Sequence, residues 1–286
     1  MHPMPGPSGE RTAGTVIHCS PRPPVAPKPY FPTTRDLPQS FARKILDGLL
    51  NLVYPDACFL CTAPVARQQD CGVCDICWNK ALALKISPPR CSSCGLPFQN
   101  FQGDSEHLCG NCIQQLPPFA GARSFGYYMA ELSGLIQGLK FKGRRNLAGL
   151  LAALLAGAFF ETWSRDDFDL VTPVPLHTKR KRERGYNQSE LLARLLARQI
   201  AIPYRDALAR IRSTLPQVGL TDTQRQENLR KAFRCIDPQQ VRAQRILLID
   251  DVMTTGATVA TAAQALLEGG AFRVSVLTVA RAGKGF

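Results

Sequence analysis

The chain has 286 residues, 45% of them hydrophobic, and 35 Lys and Arg against 22 Asp and Glu give a formal charge of +13. This length allows two domains and a sizeable core, and the apolar content excludes a chain that is disordered throughout. No run of about eighteen apolar residues is present, which excludes a membrane-spanning helix, and no apolar signal-peptide core opens the chain, so a cytoplasmic protein is expected. The excess of positive charge favours anionic partners, phosphorylated small molecules and nucleic acid alike.

Residues 1–38 carry Pro21, Pro23, Pro24, Pro27 and Pro29 with little apolar periodicity and are expected to form a disordered tail, or an upstream extension from a misassigned start codon. His18 and Cys19 lie there without a partner at ligand spacing. Phe41, Ile45, Leu49 and Leu52 then recur at helical spacing, with Leu46, Leu50 and Val53 widening the face until Pro55 ends it. Few basic residues flank this amphipathic helix. It suits packing on the following module better than lying on a membrane.

The module, expected over 39–116 with that helix, holds most of the chain's 11 cysteines. Cys58 and Cys61 form one Cys-x-x-Cys pair, Cys71, Cys74 and Cys77 two overlapping pairs, and Cys91 with Cys94 and Cys109 with Cys112 two more. Each pair places two thiolates on one side of a tight knuckle, and two knuckles complete a tetrahedral zinc site. Cys58, Cys61, Cys74 and Cys77 are assigned to a first Zn²⁺, and Cys91, Cys94, Cys109 and Cys112 to a second. Cys71 is the spare, able to replace Cys74 or Cys77, and His107 is a neighbour of a set already full. Few Lys or Arg lie between the knuckles, so scaffolding or partner docking outweighs reading of nucleic-acid bases.

Beyond Pro117-Pro118, residues 117–286 read as an α/β domain with a parallel sheet flanked by helices. A strand is expected over 122–128 and a helix over 131–139. Lys140, Lys142, Arg144 and Arg145 follow around Gly143, a solvated face by default and an anion-facing loop by its place in this half. Leu147 to Phe160 reads as a buried helix, and 168–176 as a second strand. That strand leads into a very basic turn, His177 to Gln188, before a helix over 189–199. Residues 208–212 suggest a short strand. The polar stretch around Gln217-Val218-Gly219-Leu220, Arg225, Asn228 and Arg230 suggests a mobile lid. Residues 273–280 form the last strand.

The most informative stretch is 245–258. Ile246, Leu247, Leu248 and Ile249 form an unbroken apolar run, as a strand buried on both faces does, and the strand is expected to stop at Asp250 and Asp251. Thr254, Thr255, Gly256, Ala257 and Thr258 precede an Ala/Leu-rich helix to Leu267. A loop from a strand's carboxyl end to a helix's amino end gathers backbone N–H groups and the positive end of the helix dipole, and here it adds three hydroxyls. It suits a phosphate. The two acids would repel a phosphate and suit neutral hydroxyls instead. A phosphate beside vicinal hydroxyls describes a ribose 5-phosphate.

This run resembles the 5-phosphoribosyl-1-pyrophosphate (PRPP) signature of type I phosphoribosyltransferases. The resemblance implies that Asp250 and Asp251 hold the ribose hydroxyls, while Thr254, Thr255, Gly256, Ala257 and Thr258 wrap the 5-phosphate. With the cysteine ribbons, Pro-Val-Pro-Leu-His, Arg-Glu-Arg-Gly-Tyr-Asn-Gln and Gln-Val-Gly-Leu in order, the chain from about residue 45 to 282 resembles the ComF/GntX family. Members are described as phosphoribosyltransferase-fold proteins with an amino-terminal zinc ribbon, linked to natural transformation and internalised single-stranded DNA. By that likeness Arg180, Arg184, Gly185, Asn187 and Gln188 line the pyrophosphate side, and Mg²⁺ enters with PRPP. Two functions are implied: a phosphoribosyltransferase of unknown acceptor, or a non-catalytic module that keeps the phosphate site and binds single-stranded DNA or a helicase-like competence partner.

Overall fold

A computed structural model describes residues 57–65, 71–98, 107–211 and 232–283. The expected tail over 1–38, the amphipathic helix ending at Val53 and most of the expected lid lie outside these residues. In chain order the elements are α1 (Asp75–Ala83), α2 (Gly110–Gln114), β1 (Gly121–Tyr127), α3 (Ala130–Phe141), α4 (Leu147–Phe160), β2 (Leu170–Pro173), α5 (Thr178–Arg184), α6 (Gln188–Ile200), β3 (Leu208–Arg210), β4 (Phe233–Cys235), α7 (Pro238–Val241), β5 (Arg245–Met253), α8 (Ala257–Glu268) and β6 (Arg273–Arg281).

The main sheet has the order β1-β6-β5-β2, with every pair parallel. Parallel strands align their carboxyl ends, so the loops after β2 and β5 share one edge. Ile246, Leu247, Leu248 and Ile249 are fully buried, as the absence of alternation requires of a strand covered on both faces. Leu247 and Ile249 join one core with α3, α4 and α6. Ile246 and Leu248 join a second core with α8. Apolar nearly all round, α4 is buried along most of its length.

Two expectations are revised, and two strands take places that the sequence left open. β5 does not stop at the acids: Asp250 pairs with Thr278 and Val252 with Ala280 before the strand ends at Met253. Pairing with β6 carries this stretch of backbone, while the Asp251 N–H turns to the Asp250 carboxylate. The basic stretch after β2 is no simple turn, since Thr178 to Arg184 form a helix. His177 caps its start by accepting from Lys179 N at 3.3 Å, and Gly185 ends it in the left-handed conformation at φ 79°, which glycine adopts without a Cβ clash. The strand at 208 pairs antiparallel with Phe233–Cys235 outside the main sheet. The strand last in sequence, β6, lies inside the sheet between β1 and β5.

The cysteine-rich segment covers the outer edge of β1. Tyr127 N donates to Leu84 O and Ile86 N to Phe125 O, each at 2.9 Å, while Ala122 N donates to Ser93 O at 2.7 Å. An edge strand that would otherwise offer unpaired backbone groups is thereby closed. The first cysteine group joins the α3/α4 core and the second the α8 core, so the ribbons brace opposite faces of one sheet.

Candidate functional site

Asp250 and Asp251 occupy the carboxyl end of β5 and are both buried. Asp250 Oδ1 accepts from Ser189 Oγ at 2.8 Å and from Asp251 N at 2.9 Å. Burial, and then the neighbouring Asp251 charge, push the Asp250 carboxyl up to about 7 against the opposing pull of Ser189. Asp251 Oδ1 lies 2.7 Å from Lys140 Nζ. Its second oxygen, Oδ2, is buried with no hydrogen-bond partner among the described residues. A buried acceptor without a donor costs about 1–3 kcal/mol, so this carboxylate is set up for a hydroxyl or ammonium from outside the chain.

Immediately beyond, Thr254, Thr255 and Ala257 are exposed and Thr258 partly so. Gly256 stands at the N-cap of α8 with φ 86°, and a Cβ there would lie 2.7 Å from Met253 Cε. Only glycine fits this turn without strain. The N-cap residue Gly256 has no side chain to cap α8, and Ala257 N donates to Thr255 Oγ1 at a long 3.4 Å. The helix start thus presents N–H groups and hydroxyls beside an acid pair, an anion cradle next to a hydroxyl acceptor.

A basic wall flanks this pair. Arg180 is exposed and Arg184 partly buried on α5. Arg184 donates to Gln188 Oε1 and its guanidinium lies 5.0 Å from the Phe141 ring centroid. The guanidinium of Arg210 on β3 is held below its usual range by burial and then by Arg180, and it also feels the Asp250 charge. Asn187 and Gln188 are buried. Asn187 Oδ1 caps α6 by accepting from Ser189 N at 3.1 Å, while its Nδ2 donates to Val174 O at 3.1 Å. Asn187 thus ties the start of α6 to the loop after β2, and Ser189 of that same turn reaches Asp250.

The eight assigned cysteines form two groups, Cys58, Cys61, Cys74 and Cys77, and Cys91, Cys94, Cys109 and Cys112, each with all sulfurs within 4.8 Å of one another. Cys61 and Cys74 Sγ lie 3.6 Å apart, as do Cys94 and Cys109. A tetrahedral ion with Zn–S near 2.3 Å requires about 3.8 Å. Burial alone would raise the Cys58 thiol, but backbone N–H groups led by that of Cys74 bring it down to about 6. Donors from Cys109, Cys94 and Ser93 likewise bring the buried Cys91 down to about 7. Burial and adjacent sulfurs push Cys77 and Cys112 far up. Such crowding of thiolates is relieved by a dication, and the donor set fits Zn²⁺. Cys71 is buried near the first group without belonging to it, and His107 contributes its backbone oxygen to Ser92 N at 3.0 Å. From the sheet, Arg281 Nη1 donates to Cys94 O at 2.7 Å and Nη2 lies 3.9 Å from Cys94 Sγ.

Two family models match this chain: a double zinc ribbon domain over residues 49–113 and a phosphoribosyl transferase domain over residues 187–285. The DNA utilization protein YhgH of Salmonella typhi is 36% identical over 234 residues, covering 80% of this chain and 99% of that protein. The chain belongs to the ComF/GntX family. Competence protein F of Haemophilus influenzae is 33% identical over 216 residues, covering 74% of this chain and 91% of its own. Competence protein ComFC of Bacillus subtilis is 28% identical over 244 residues, covering 78% and 94%. Among solved structures, a B. subtilis glutamine PRPP amidotransferase complexed with ADP and GMP aligns at a TM-score of 0.33 and 23% identity, over 48% of this chain and 26% of that one.

In this ComF/GntX chain, sequence reasoning left Lys140, Ser189 and Arg210 out of the site. Ser189 had a readable signal, since an Asn before a Ser at a helix start marks an N-cap turn. Lys140 showed only as one of a basic cluster and Arg210 not at all, because their partners lie more than a hundred and about forty residues away in the chain. No helix among the described residues is long and apolar enough to cross a membrane.

Proposed function

We propose that residues 117–286 form a domain that binds Mg²⁺-PRPP, or a related ribose 5-phosphate ligand, on the edge formed by β2 and β5. The unsatisfied buried Oδ2 of Asp251 beside the start of α8 carries this reading. Asp250 and Asp251 receive the ribose hydroxyls. Thr254, Thr255, Gly256, Ala257 and Thr258 take the 5-phosphate. Arg180 and Arg184, with Gly185 as the hinge between α5 and α6, stand on the pyrophosphate side. Asn187 and Gln188 act there by fixing the turn that bears them and by orienting Arg184.

For the reaction, bond breaking at C1 of the ribose leaves an oxocarbenium-like sugar and a pyrophosphate, with a nucleophile entering at C1. Bound Mg²⁺ would neutralise charge on the departing pyrophosphate. The arginines of α5 supply fixed positive charge on the same side, and the acid pair holds the sugar so that charge and bond stay aligned. The relatives' names place them in competence and DNA utilization. We therefore assign this chain to the handling of internalised single-stranded DNA, in the cytoplasm, with a helicase-like competence protein as a candidate partner.

The alternative is an adaptor that retains the ligand site and uses its basic surface on DNA without turnover. The exposed Lys179, Arg180, Lys181 and Arg182 of α5 favour it. Incubation with Mg²⁺-PRPP and candidate acceptors, read as pyrophosphate release, separates the two. Release that disappears in Asp250→Ala supports the transferase. Salt-sensitive DNA binding with PRPP bound but never consumed supports the adaptor.

A further inference from the structure

Lys140, the penultimate residue of α3, places its ammonium 2.7 Å from Asp251 Oδ1 with its side chain only 18% exposed. The helix is held from behind by the first ribbon. A Cβ at Gly134 would lie 2.6 Å from Leu60 Cδ2, and one at Gly138 2.7 Å from Phe59 Cε1. Phe59 and Leu60 are the two residues between Cys58 and Cys61, so the knuckle of the first tetrad presses its apolar tip directly on the α3 backbone. Lys142 and Arg144 lie over the Phe59 ring at 5.0 and 4.8 Å from its centroid. Phe59 is itself tied into the ribbon, its N donating to Gly72 O at 2.8 Å.

The same stretch reaches the pyrophosphate side. Arg145 stacks over Tyr186 at 4.5 Å and its Nη2 donates to Gly185 O at 3.4 Å. The Tyr186 hydroxyl donates to Leu139 O. Residues 139–145 therefore join three things: the knuckle of the first tetrad, the carboxylate of Asp251 and the Gly185–Tyr186 turn.

We propose that Lys140 is a positioning residue of the sugar-phosphate site, that it fixes Asp251 through Oδ1 so that Oδ2 is left for the ligand, and that the first zinc ribbon sets its place through Phe59. The inference rests on the phosphoribosyl reading of Asp251. It gives the ribbon a task in ligand binding beyond folding: the knuckle is the back wall against which one side of the pocket is built. A charge held in place beforehand costs the ligand less ordering on arrival.

The test is calorimetric titration of Mg²⁺-PRPP into the full chain and into Lys140→Met, Lys140→Arg and Phe59→Ala, with zinc content measured by chelator release. Lys140→Met is expected to weaken binding by roughly tenfold or more, as truncating one partner of a buried charge pair does. Lys140→Arg, which keeps the charge, is expected to recover most of that loss. Such rescue would not follow if Lys140 served only the fold. Phe59→Ala is expected to weaken binding while zinc is retained. If the unsubstituted protein binds PRPP and Lys140→Met binds it equally well, the role of Lys140 is overturned. Unchanged affinity in Phe59→Ala overturns the role of the ribbon. Absence of binding in the unsubstituted protein would instead remove the phosphoribosyl reading and this inference with it.

Discussion

At the scale of single residues, the acid pair is asymmetric. Asp251 has an ammonium beside it, while Asp250 has a hydroxyl and a neighbouring negative charge, which with burial bring it to about 7. A carboxyl raised in the folded state stabilises the fold below its unfolded value, near 4, and that contribution is lost as pH rises toward 7. The ligand-free protein is thus expected to lose stability between about pH 4 and 7, and Asp250→Asn to flatten that slope in thermal unfolding across the range. PRPP affinity should move the opposite way, rising with pH as Asp250 ionises and becomes a stronger acceptor for a hydroxyl. Gly256 gives a second test. With φ 86° and Met253 Cε 2.7 Å from any added Cβ, Gly256→Ala is expected to cost about 1–3 kcal/mol in denaturant unfolding and to weaken phosphate binding.

At the scale of elements, β5 and β6 tie the site to the second ribbon. Met253, the last residue of β5, pairs with Arg281 of β6, and Arg281 reaches Cys94 O and Sγ. Arg123 on β1, half-buried and held low first by desolvation and then by Arg90, also feels the charges of Cys91 and Cys94. A tetrathiolate zinc centre carries a net negative charge, and these guanidiniums stand where they offset it. Arg281→Met is therefore expected to speed zinc loss from the second group to a chelator, about tenfold, while the first group keeps its rate. Equal rates at both groups would count against this pairing. Because no water reaches Leu248 and Ile249, Ile249→Ala is expected to cost about 2–5 kcal/mol, measured by denaturant unfolding.

The same elements show what was readable beforehand. The β5 apolar run, the threonine loop and the Cys-x-x-Cys pairs are local patterns, and local patterns carry their own periods and spacings. The extent of β5 was not readable, because two adjacent acids are poor strand formers alone and lie in the ladder only through pairing with β6. The α5 helix was hidden by a run of like charges that resembles a solvated turn. Its capping residues, His177 and Gly185, become informative only once the helix is in view. Lys140 stood out as part of a basic cluster, but its partner could be known only from the packing of α3 on the first ribbon.

At the scale of the whole molecule, one parallel sheet is braced on its two faces by two different ribbons, with the β1 edge closed by the segment between them. The two cysteine groups are then expected to belong to the same cooperative unit as the acid pair and the threonine loop. Stripping zinc is expected to expose β1 and lower the thermal midpoint of the entire chain, which calorimetry in the presence of a strong chelator would show. A separate, unchanged transition for the sheet would mean that the ribbons fold independently. The buried acid pair and the threonine loop together are proposed to hold an activated ribose phosphate. Calorimetric titration of Mg²⁺-PRPP into the unsubstituted protein and into Asp251→Asn tests it most directly. Saturable binding in the first, weakened by roughly tenfold or more in the second with zinc content unchanged, is the predicted result. No binding in the first, or equal affinity in both, would contradict it.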